Sequence, residues 1–310
     1  HFHQCITSFE PFEQSLLTLG NFDGVHRAHQ QLLAQANLFS AKTAGPVVVL
    51  TFEPHPLTVV APQKAPARLS LPDEKLRLLA AAGADIVVVA ASEPGLLGME
   101  AESFVTDILI DRFKPTHIVE GQSFGFGRGR KGTPELLKQV AGRFNCEVHI
   151  VESVRLQIEP GETVMVSSSL IRDLLTDGRV REAALCLGRP YALIGEVVRG
   201  DARGKQLGFP TANVQIEDQL TPAEGVYAGR ALVGDDSHLA AISIGRTPTF
   251  GGGQVRVEAY LLDFDGDLHW DVLRVEFDRL LRRQQKFGSA DALVKQLKLD
   301  VEAVRAGSSD

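Results

Sequence analysis

Cysteine is scarce. Cys5, Cys146 and Cys186 are the three thiols of a 310-residue chain. Their number is odd and their spacing fits no zinc or redox motif, which excludes a disulfide framework and a cysteine-ligated metal. They read as buried or incidental thiols in a reducing cytoplasm. Long apolar runs are missing as well. No run approaches the ~18 residues of a spanning helix, so no membrane is expected. The N-terminus has no basic segment leading into an apolar core and reads as carrying no signal peptide. It also lacks a methionine, so His1 reads as other than the native start. A surplus of positive charge is absent too. With 32 Lys and Arg against 39 Asp and Glu, the net charge of −7 argues against nucleic acid as a partner. Basic residues are instead concentrated locally, in Arg128-Gly129-Arg130-Lys131 and over 279–283.

What is present is an ordinary globular balance, with 44% hydrophobic and 23% charged residues over a length comfortable for two domains. The chain is organised around residues 17–33, LTLGNFDGVHRAHQQLL. An apolar run, Leu16-Leu17-Thr18-Leu19, suits a buried strand. Gly20 and Gly24 bracket a turn where backbone can approach a ligand closely. His26 and His29 follow at i and i+3, so a helix starting near Val25 carries both imidazoles on one face of its first turn. A strand, a glycine turn and a helix N-terminus with histidines suit an anion, because N–H groups and the positive end of the dipole point the same way. A plain strand-to-helix turn is the competing reading.

The first half alternates strands and helices. Strands are expected over 46–52, 86–91, 116–119 and 147–151, and helices over 72–82, 101–113 and 133–143. That alternation implies a parallel sheet covered on both faces, with ligands beyond the carboxyl ends of its strands. Three further motifs fall where a strand ends. Phe52-Glu53-Pro54-His55-Pro56 ends one strand and also reads as a rigid proline turn. Glu120-Gly121-Gln122-Ser123-Phe124-Gly125-Phe126-Gly127-Arg128 ends another; its glycines can cradle phosphate, or it is a mobile surface loop. Val166-Ser167-Ser168-Ser169-Leu170-Ile171-Arg172 leads into a short helix over 170–175. Ser168 or Ser169 can cap that helix, and the hydroxyls with Arg172 can meet phosphate oxygens.

Gly188-Arg189-Pro190-Tyr191 closes a helix over 181–187 and makes the best domain boundary, giving domains 1–187 and 188–310. Beyond it, short alternating strands are expected over 192–198, 225–233, 239–244, 255–263 and 272–277, with hairpin turns at Gly234-Asp235-Asp236 and Asp265-Gly266-Asp267. A small antiparallel barrel follows from that spacing, closed by a helix over 290–304 that packs Leu293, Leu297 and Val301. Within it, the stretch 200–213 (GDARGKQLGFPTAN) holds Gly200, Gly204 and Gly208 for a loop that wraps phosphates, and Thr211 and Asn213 as neutral oxygens suited to Mg²⁺. It is otherwise a turn-rich loop. Glu258 stands among apolar residues on a strand and is either paired on the open face or catalytic.

These motifs together resemble the prokaryotic bifunctional riboflavin kinase/FMN adenylyltransferase family, also called FAD synthetase. GNFDGVHRAH is similar to its G-x-F-D-G-x-H-x-G-H signature, with Ala28 for the last Gly. The 120–132 loop resembles G-x-[DN]-F-x-F-G-x-x-R-x-G, with Ser123 at the Asp/Asn position and Arg130 matching. The 166–172 stretch resembles I-S-S-T-x-I-R. KQLGFPTAN resembles the kinase segment G-R-x-L-G-F-P-T-A-N, with Lys205 for Arg, which keeps charge and loses the fork geometry. Residues 242–250 resemble I-N-I-G-x-x-P-T-F with Ser243 for Asn. His269-Trp270 replaces Tyr-Gly, and Gln284 or Gln285 stands where an acid is expected.

The resemblance implies an α/β fold: an N-terminal Rossmann-like nucleotidyltransferase domain with a parallel sheet, then a riboflavin kinase-like barrel with a closing helix. It implies ATP, riboflavin, FMN and FAD as substrates and products, with Mg²⁺. In the first domain Gly20, Asn21, Phe22, Asp23, His55, Ser123, Arg130, Ser167, Ser168, Ser169 and Arg172 would bind nucleotide or flavin, with His26 and His29 stabilising phosphate charge. In the second, Gly204, Lys205, Gly208, Phe209 and Pro210 would hold ATP, Thr211 and Asn213 the metal, and Glu258 would take the proton from the riboflavin 5′-hydroxyl. Three alternatives stay open: a riboflavin kinase with an impaired adenylyltransferase half, a nucleotidyltransferase for another phosphate, and a non-catalytic flavin-binding homologue. Weak homo-oligomerisation is also left open.

Overall fold

The computed structural model describes residues 2–3, 12–199, 207–246, 255–266, 268 and 271–307. Two compact units divide the chain: 1–156 with 163–167, and 157–162 with 168–310. The helices over 168–176 and 180–187 therefore group with the second unit.

The first unit is built on short apolar runs. β1 is Phe2–His3, β2 Ser15–Leu19, β3 Val47–Glu53, β4 Ile86–Ala91, β5 Pro115–Gly121 and β6 Glu147–Val151. Every pairing is parallel, in the order β1-β4-β3-β2-β5-β6. β2 is buried over its whole length, which requires cover on both faces. β3 shows the two-residue period directly. Val48 and Leu50 pack with Phe104 and Phe113 on one side, while Val47 and Val49 pack with Phe22, Leu33 and Leu79 on the other. The covering helices are α1 (Arg27–Thr43), α2 (Pro72–Ala81), a helical run α3 and α4 (Pro134–Gly142). α3 joins Ala101–Ser103, a π-type stretch Phe104–Ile110 and Asp111–Phe113, where a plain α-helix is expected from sequence. The chain runs from β2 outward to β4, then returns to the other side of β2 with β5. The gap between β2 and β5 is thus the switch point of the sheet, where such folds open a crevice.

A β-hairpin that the sequence pattern did not announce, β7 (Arg155–Glu159) with β8 (Glu162–Met165), precedes α5 (Ser168–Thr176) and α6 (Val180–Leu187). α5 already includes Ser168 and Ser169 in its first turn, so neither is the residue before the helix; that position falls to Ser167.

The second unit is a closed six-stranded barrel: β9 (Tyr191–Val198), β10 (Ala212–Gln215), β11 (Gly225–Val233), β12 (Asp236–Arg246), β13 (Val255–Leu261) and β14 (Val272–Arg282), ordered β10-β13-β12-β11-β14-β9. Gly234-Asp235 makes a two-residue hairpin between β11 and β12, as expected. The segment after β13 makes none, because β12 and β11 separate β13 from β14. β10 is too short to register as an alternating pattern. At Gly229 any side chain would collide with the Glu276 carbonyl, 2.0 Å from an added Cβ, so this barrel corner needs glycine.

α7 (Ala290–Ala306) closes the barrel, with Ser289 accepting from Ala292 N–H at its start. Its buried residues are Asp300 and Val304, whereas Leu293 and Leu297 are only partly covered. The reason is electrostatic. Asp300, 4% exposed, takes a two-pronged grip from Arg282, with Nε to Oδ1 at 3.0 Å and Nη2 to Oδ2 at 2.8 Å. That pair sets the helix rotation ahead of the leucines. Asp300→Ala leaves a half-buried guanidinium without its partner and is expected to cost the barrel about 3 kcal/mol. Urea unfolding checks this, and a loss below ~1 kcal/mol contradicts it.

Candidate functional site

Both conspicuous loops of the first unit leave the sheet at the β2/β5 switch point. After β2, Phe22 (φ 48°), Gly24 (φ 81°) and Val25 (φ 38°) all sit in the left-handed region. Two of them are not glycine, so surrounding contacts must hold the turn. Asp23 does this. Its carboxylate accepts from Leu69 N–H at 3.0 Å and Ser70 N–H at 3.2 Å, while Gly24 N–H donates to Ser70 Oγ at 3.1 Å. Asp23 thus clamps the loop to a segment some 46 residues onward. Asn21 holds the neighbouring motif. His55 Nδ1 accepts from Leu57 N–H at 3.1 Å, and its Nε2 lies 3.0 Å from Asn21 Nδ2.

The loop delivers His26 as the residue before α1, and its side chain makes no capping bond to the first turn. His29 stacks on it, ring centroids 3.6 Å apart and 15° from parallel, with Phe22 tilted against His29 at 4.9 Å. The expected face is therefore real, and the two imidazoles are in contact. Burial first, and the neighbouring His26 second, hold the His29 pKa well below that of an ordinary imidazole. Its Nδ1 is buried and makes no hydrogen bond among the described residues.

After β5 the loop is a built structure rather than a mobile one. Phe126 and Gly132 exchange two backbone hydrogen bonds, at 2.9 and 3.2 Å. Phe124 and Phe126 turn into the core, stacked at 5.4 Å. Ser123 and Arg130 remain on the exposed side, with Arg130 Nη2 donating to the Ser123 carbonyl at 3.4 Å. Ser167 ends the first unit, and Ser168, Ser169 and Arg172 begin the second.

Glu120 is the residue that sequence reasoning quoted without a role. The β2/β5 ladder runs only to Leu17 and Ile118. Beyond it, Glu120, 2% exposed, accepts from Leu19 N–H at 2.6 Å and bridges the splayed strands. Burial raises its pKa well above the carboxylate range, opposed by the Leu19 and Thr18 hydrogen bonds. A charged residue closing an apolar strand was the available signal. Because its folded pKa is raised, the native state holds a proton that the unfolded chain has lost above about pH 4.3. Stability therefore falls as pH rises through the interval between the two pKa values. Glu120→Gln keeps the acceptor and is expected to flatten that decline, while Glu120→Leu strands Leu19 N–H at a cost of about 1–3 kcal/mol. Denaturant titrations at several pH values separate the two.

In the barrel, register assembles the second constellation. Asn213 on β10 lies directly opposite Glu258 on β13, and Glu258 opposite Ser243 on β12. Directly opposed residues share a face, and Thr211, two before Asn213, joins that face if the strand geometry extends one residue past its end. Tyr260 is two residues past Glu258, and Phe209 meets its ring edge-on at 5.4 Å, which lays the incoming loop against β13. Gly208 sits at φ 83° and Pro210 is exposed. Arg256 stands 3.9 Å from the Glu258 carboxylate. Two departures from the family pattern meet each other: Gln284 Nε2 donates to Ser243 Oγ and to the Ile244 carbonyl, both at 2.9 Å. Gly204, Lys205, residues 247–250 and His269-Trp270 lie outside the described residues.

A parallel sheet with an anion-suited switch point, followed by a closed barrel with a carboxylate and neutral oxygens on one face, defines a two-module nucleotide-handling enzyme. The comparisons with known proteins agree. A family model described as FAD synthetase matches residues 9–169, and one described as riboflavin kinase matches 187–307. The bifunctional riboflavin kinase/FMN adenylyltransferase of Escherichia coli strain K12 is 37% identical over 94% of this chain and 91% of its own length. That of Listeria monocytogenes is 33% identical over 99% and 96%. A solved Streptococcus pneumoniae structure described as a macrolide-efflux protein superposes with a TM-score of 0.88 at 31% identity, covering 98% of both chains. The chain belongs to the bifunctional riboflavin kinase/FMN adenylyltransferase family and is an enzyme of flavin-cofactor synthesis, from riboflavin through FMN to FAD. Among the described residues no helix is long and apolar enough to cross a membrane.

Proposed function

We propose that the barrel phosphorylates riboflavin and the parallel-sheet module adenylylates the resulting FMN. One observation carries this division: two unlike constellations stand in separately built units, Asn213 facing Glu258 in one and the stacked His26–His29 pair at a switch point in the other.

In the barrel, Glu258 accepts the proton of the riboflavin 5′-hydroxyl as that oxygen attacks the γ-phosphorus of ATP, and ADP leaves. Gly204, Lys205, Gly208, Phe209 and Pro210 contribute the loop around the phosphates. The side-chain oxygens of Thr211 and Asn213, next to a carboxylate, form the hard neutral set that suits Mg²⁺. Bound there, Mg²⁺ would neutralise phosphate charge. The Gln284–Ser243 contact keeps a polar group opposite Glu258 despite the missing Asn and acid.

In the sheet module, an FMN phosphate oxygen attacks the α-phosphorus of ATP and pyrophosphate leaves, with no protein nucleophile. His26 and His29 stabilise charge growing on the bridging and leaving oxygens. Asn21, Phe22 and Asp23 hold that pair in place, with His55, Ser123, Arg130 and Ser167 of the same unit around it, while the nucleotide-binding roles that the resemblance gives Ser168, Ser169 and Arg172 fall on residues of the second unit. The setting is cytoplasmic, which suits the buried free thiols Cys146 and Cys186. No nucleic acid is needed, and weak self-association is compatible with the reading.

Incubating the purified chain with riboflavin, ATP and Mg²⁺, then separating the flavins, tests the reading. FAD is the expected product. FMN alone would show that Ala28 and Ser123 have disabled the second step, and unchanged riboflavin would defeat the proposal.

A further inference from the structure

At the other end of α1 lies a cluster that flavin chemistry does not use. His117 on β5 and Glu147 on β6 are direct register partners, and His149 is two residues past Glu147 on the same face. His117 Nδ1 and His149 Nε2 stand 3.0 Å apart, and Glu147 Oε2 is 3.8 Å from each. Among the described residues these side chains form hydrogen bonds and ion pairs only with one another. Three donors each about 2.0–2.1 Å from a tetrahedral ion stand about 3.3 Å apart. The observed triangle brackets that value. Phe39 of α1 backs both rings, nearly parallel, at 5.0 Å from His117 and 4.0 Å from His149, so the nitrogens are aimed by an apolar plate. Both imidazoles are mostly buried, while Glu147 is 73% exposed and leaves an approach from solvent.

We propose that His117, Glu147 and His149 bind one divalent transition-metal ion of the zinc class, with water as its fourth ligand. Two imidazoles and one carboxylate suit zinc and its neighbours, whereas Mg²⁺ and Ca²⁺ take oxygen sets, so the ion that serves ATP is not the occupant. Cys146, next in the chain, adds no ligand: its side chain is buried in the apolar core with Leu137 and Val140, away from the face that carries Phe39. The positive charge of Lys138 on α4 works weakly against a cation at His149. His29 and Phe39 are ten residues apart on α1, about 15 Å, which separates this site from the phosphate-facing histidines. The ion ties the edge strand β6 to β5, so its effect is on the folded state of the sheet.

The full chain, stripped with chelator and dialysed against Zn²⁺ in excess Mg²⁺, is expected to hold one more ion than His149→Ala. His29→Ala is the control for the other histidine pair and keeps that ion. Glu147→Gln, at an exposed position, is expected to weaken Zn²⁺ at least ~10-fold without disturbing the fold. Co²⁺ added to the unmutated chain should give the strong visible absorption of a four-coordinate site. Equal zinc content in the parent and His149→Ala, or a weak six-coordinate Co²⁺ spectrum, overturns the proposal. The Co²⁺ measurement stands even if a histidine variant fails to fold.

Discussion

Glu258→Ala is expected to lower the rate of FMN formation from riboflavin by about 10²–10⁴-fold, the range that a positioned general base supplies. FAD formation from added FMN should be unaffected, since no barrel residue takes part in that step of the proposal. The expectation rests on placement. Glu258 is partly exposed on the outer face of a strand whose alternate residues Val257, Ala259 and Leu261 fill the barrel, so truncating it opens no cavity. Its register partners are Asn213 and Ser243, two neutral polar residues, and Arg256 is its cationic neighbour at 3.9 Å. Because Arg256 is more than a third exposed, that pair is worth little to stability. A large kinetic loss with an unchanged unfolding midpoint is the expected signature. Flavin chromatography on two starting substrates measures both steps. Loss of both activities together would mean that Glu258 supports the chain as a whole, and loss of neither would remove it from the chemistry.

The same residues show what a sequence can and cannot carry. Glu258 and Asn213 are legible as a pair only through motif resemblance, because 45 positions separate them and β10 pairs with β13 across two intervening strands of the chain. β10 has four residues, too few for alternation to register. The sheet was legible nearly strand by strand, since β2 to β6 are short apolar or β-branched runs, several of them bounded by Gly or Pro. What periodicity missed has physical causes of its own. The π-type stretch within α3 keeps the apolar face that a helix needs, so the pattern does not reveal it. α7 turns toward the Arg282–Asp300 pair, an ionic preference invisible to an apolar template. Glu120 ends a strand as a lone acid, and only the splay of β2 from β5 explains it. The departures at Ser243 and Gln284 look independent in sequence and become one hydrogen bond in the fold.

His29→Ala is expected to reduce FAD formation from FMN by about 10²–10³-fold, the cost of losing one preorganised donor to developing charge. Phosphorylation of riboflavin should continue at its normal rate, so FMN accumulates. The reason lies in the stacking of the two rings. At 3.6 Å between centroids, His26 and His29 cannot both be charged cheaply, and burial keeps His29 neutral before substrate arrives. A triphosphate changes the balance, because its charge favours protonated or donating imidazoles at the N-terminus of α1. The arrangement carries a measurable cost in stability. With its folded pKa depressed, His29 binds fewer protons in the native chain than in the unfolded one below about pH 6.5. Stability is therefore complete above that value and is lost as pH falls toward the folded pKa. His29→Gln removes this slope and should unfold with less pH dependence between neutral and mildly acidic conditions, measured by urea titration of the full chain. Weak adenylylation together with a flattened acid profile ties the catalytic defect to the buried ring. A variant that adenylylates FMN normally shows that His29 is packing alone, and the charge in the crevice must then be met by other groups.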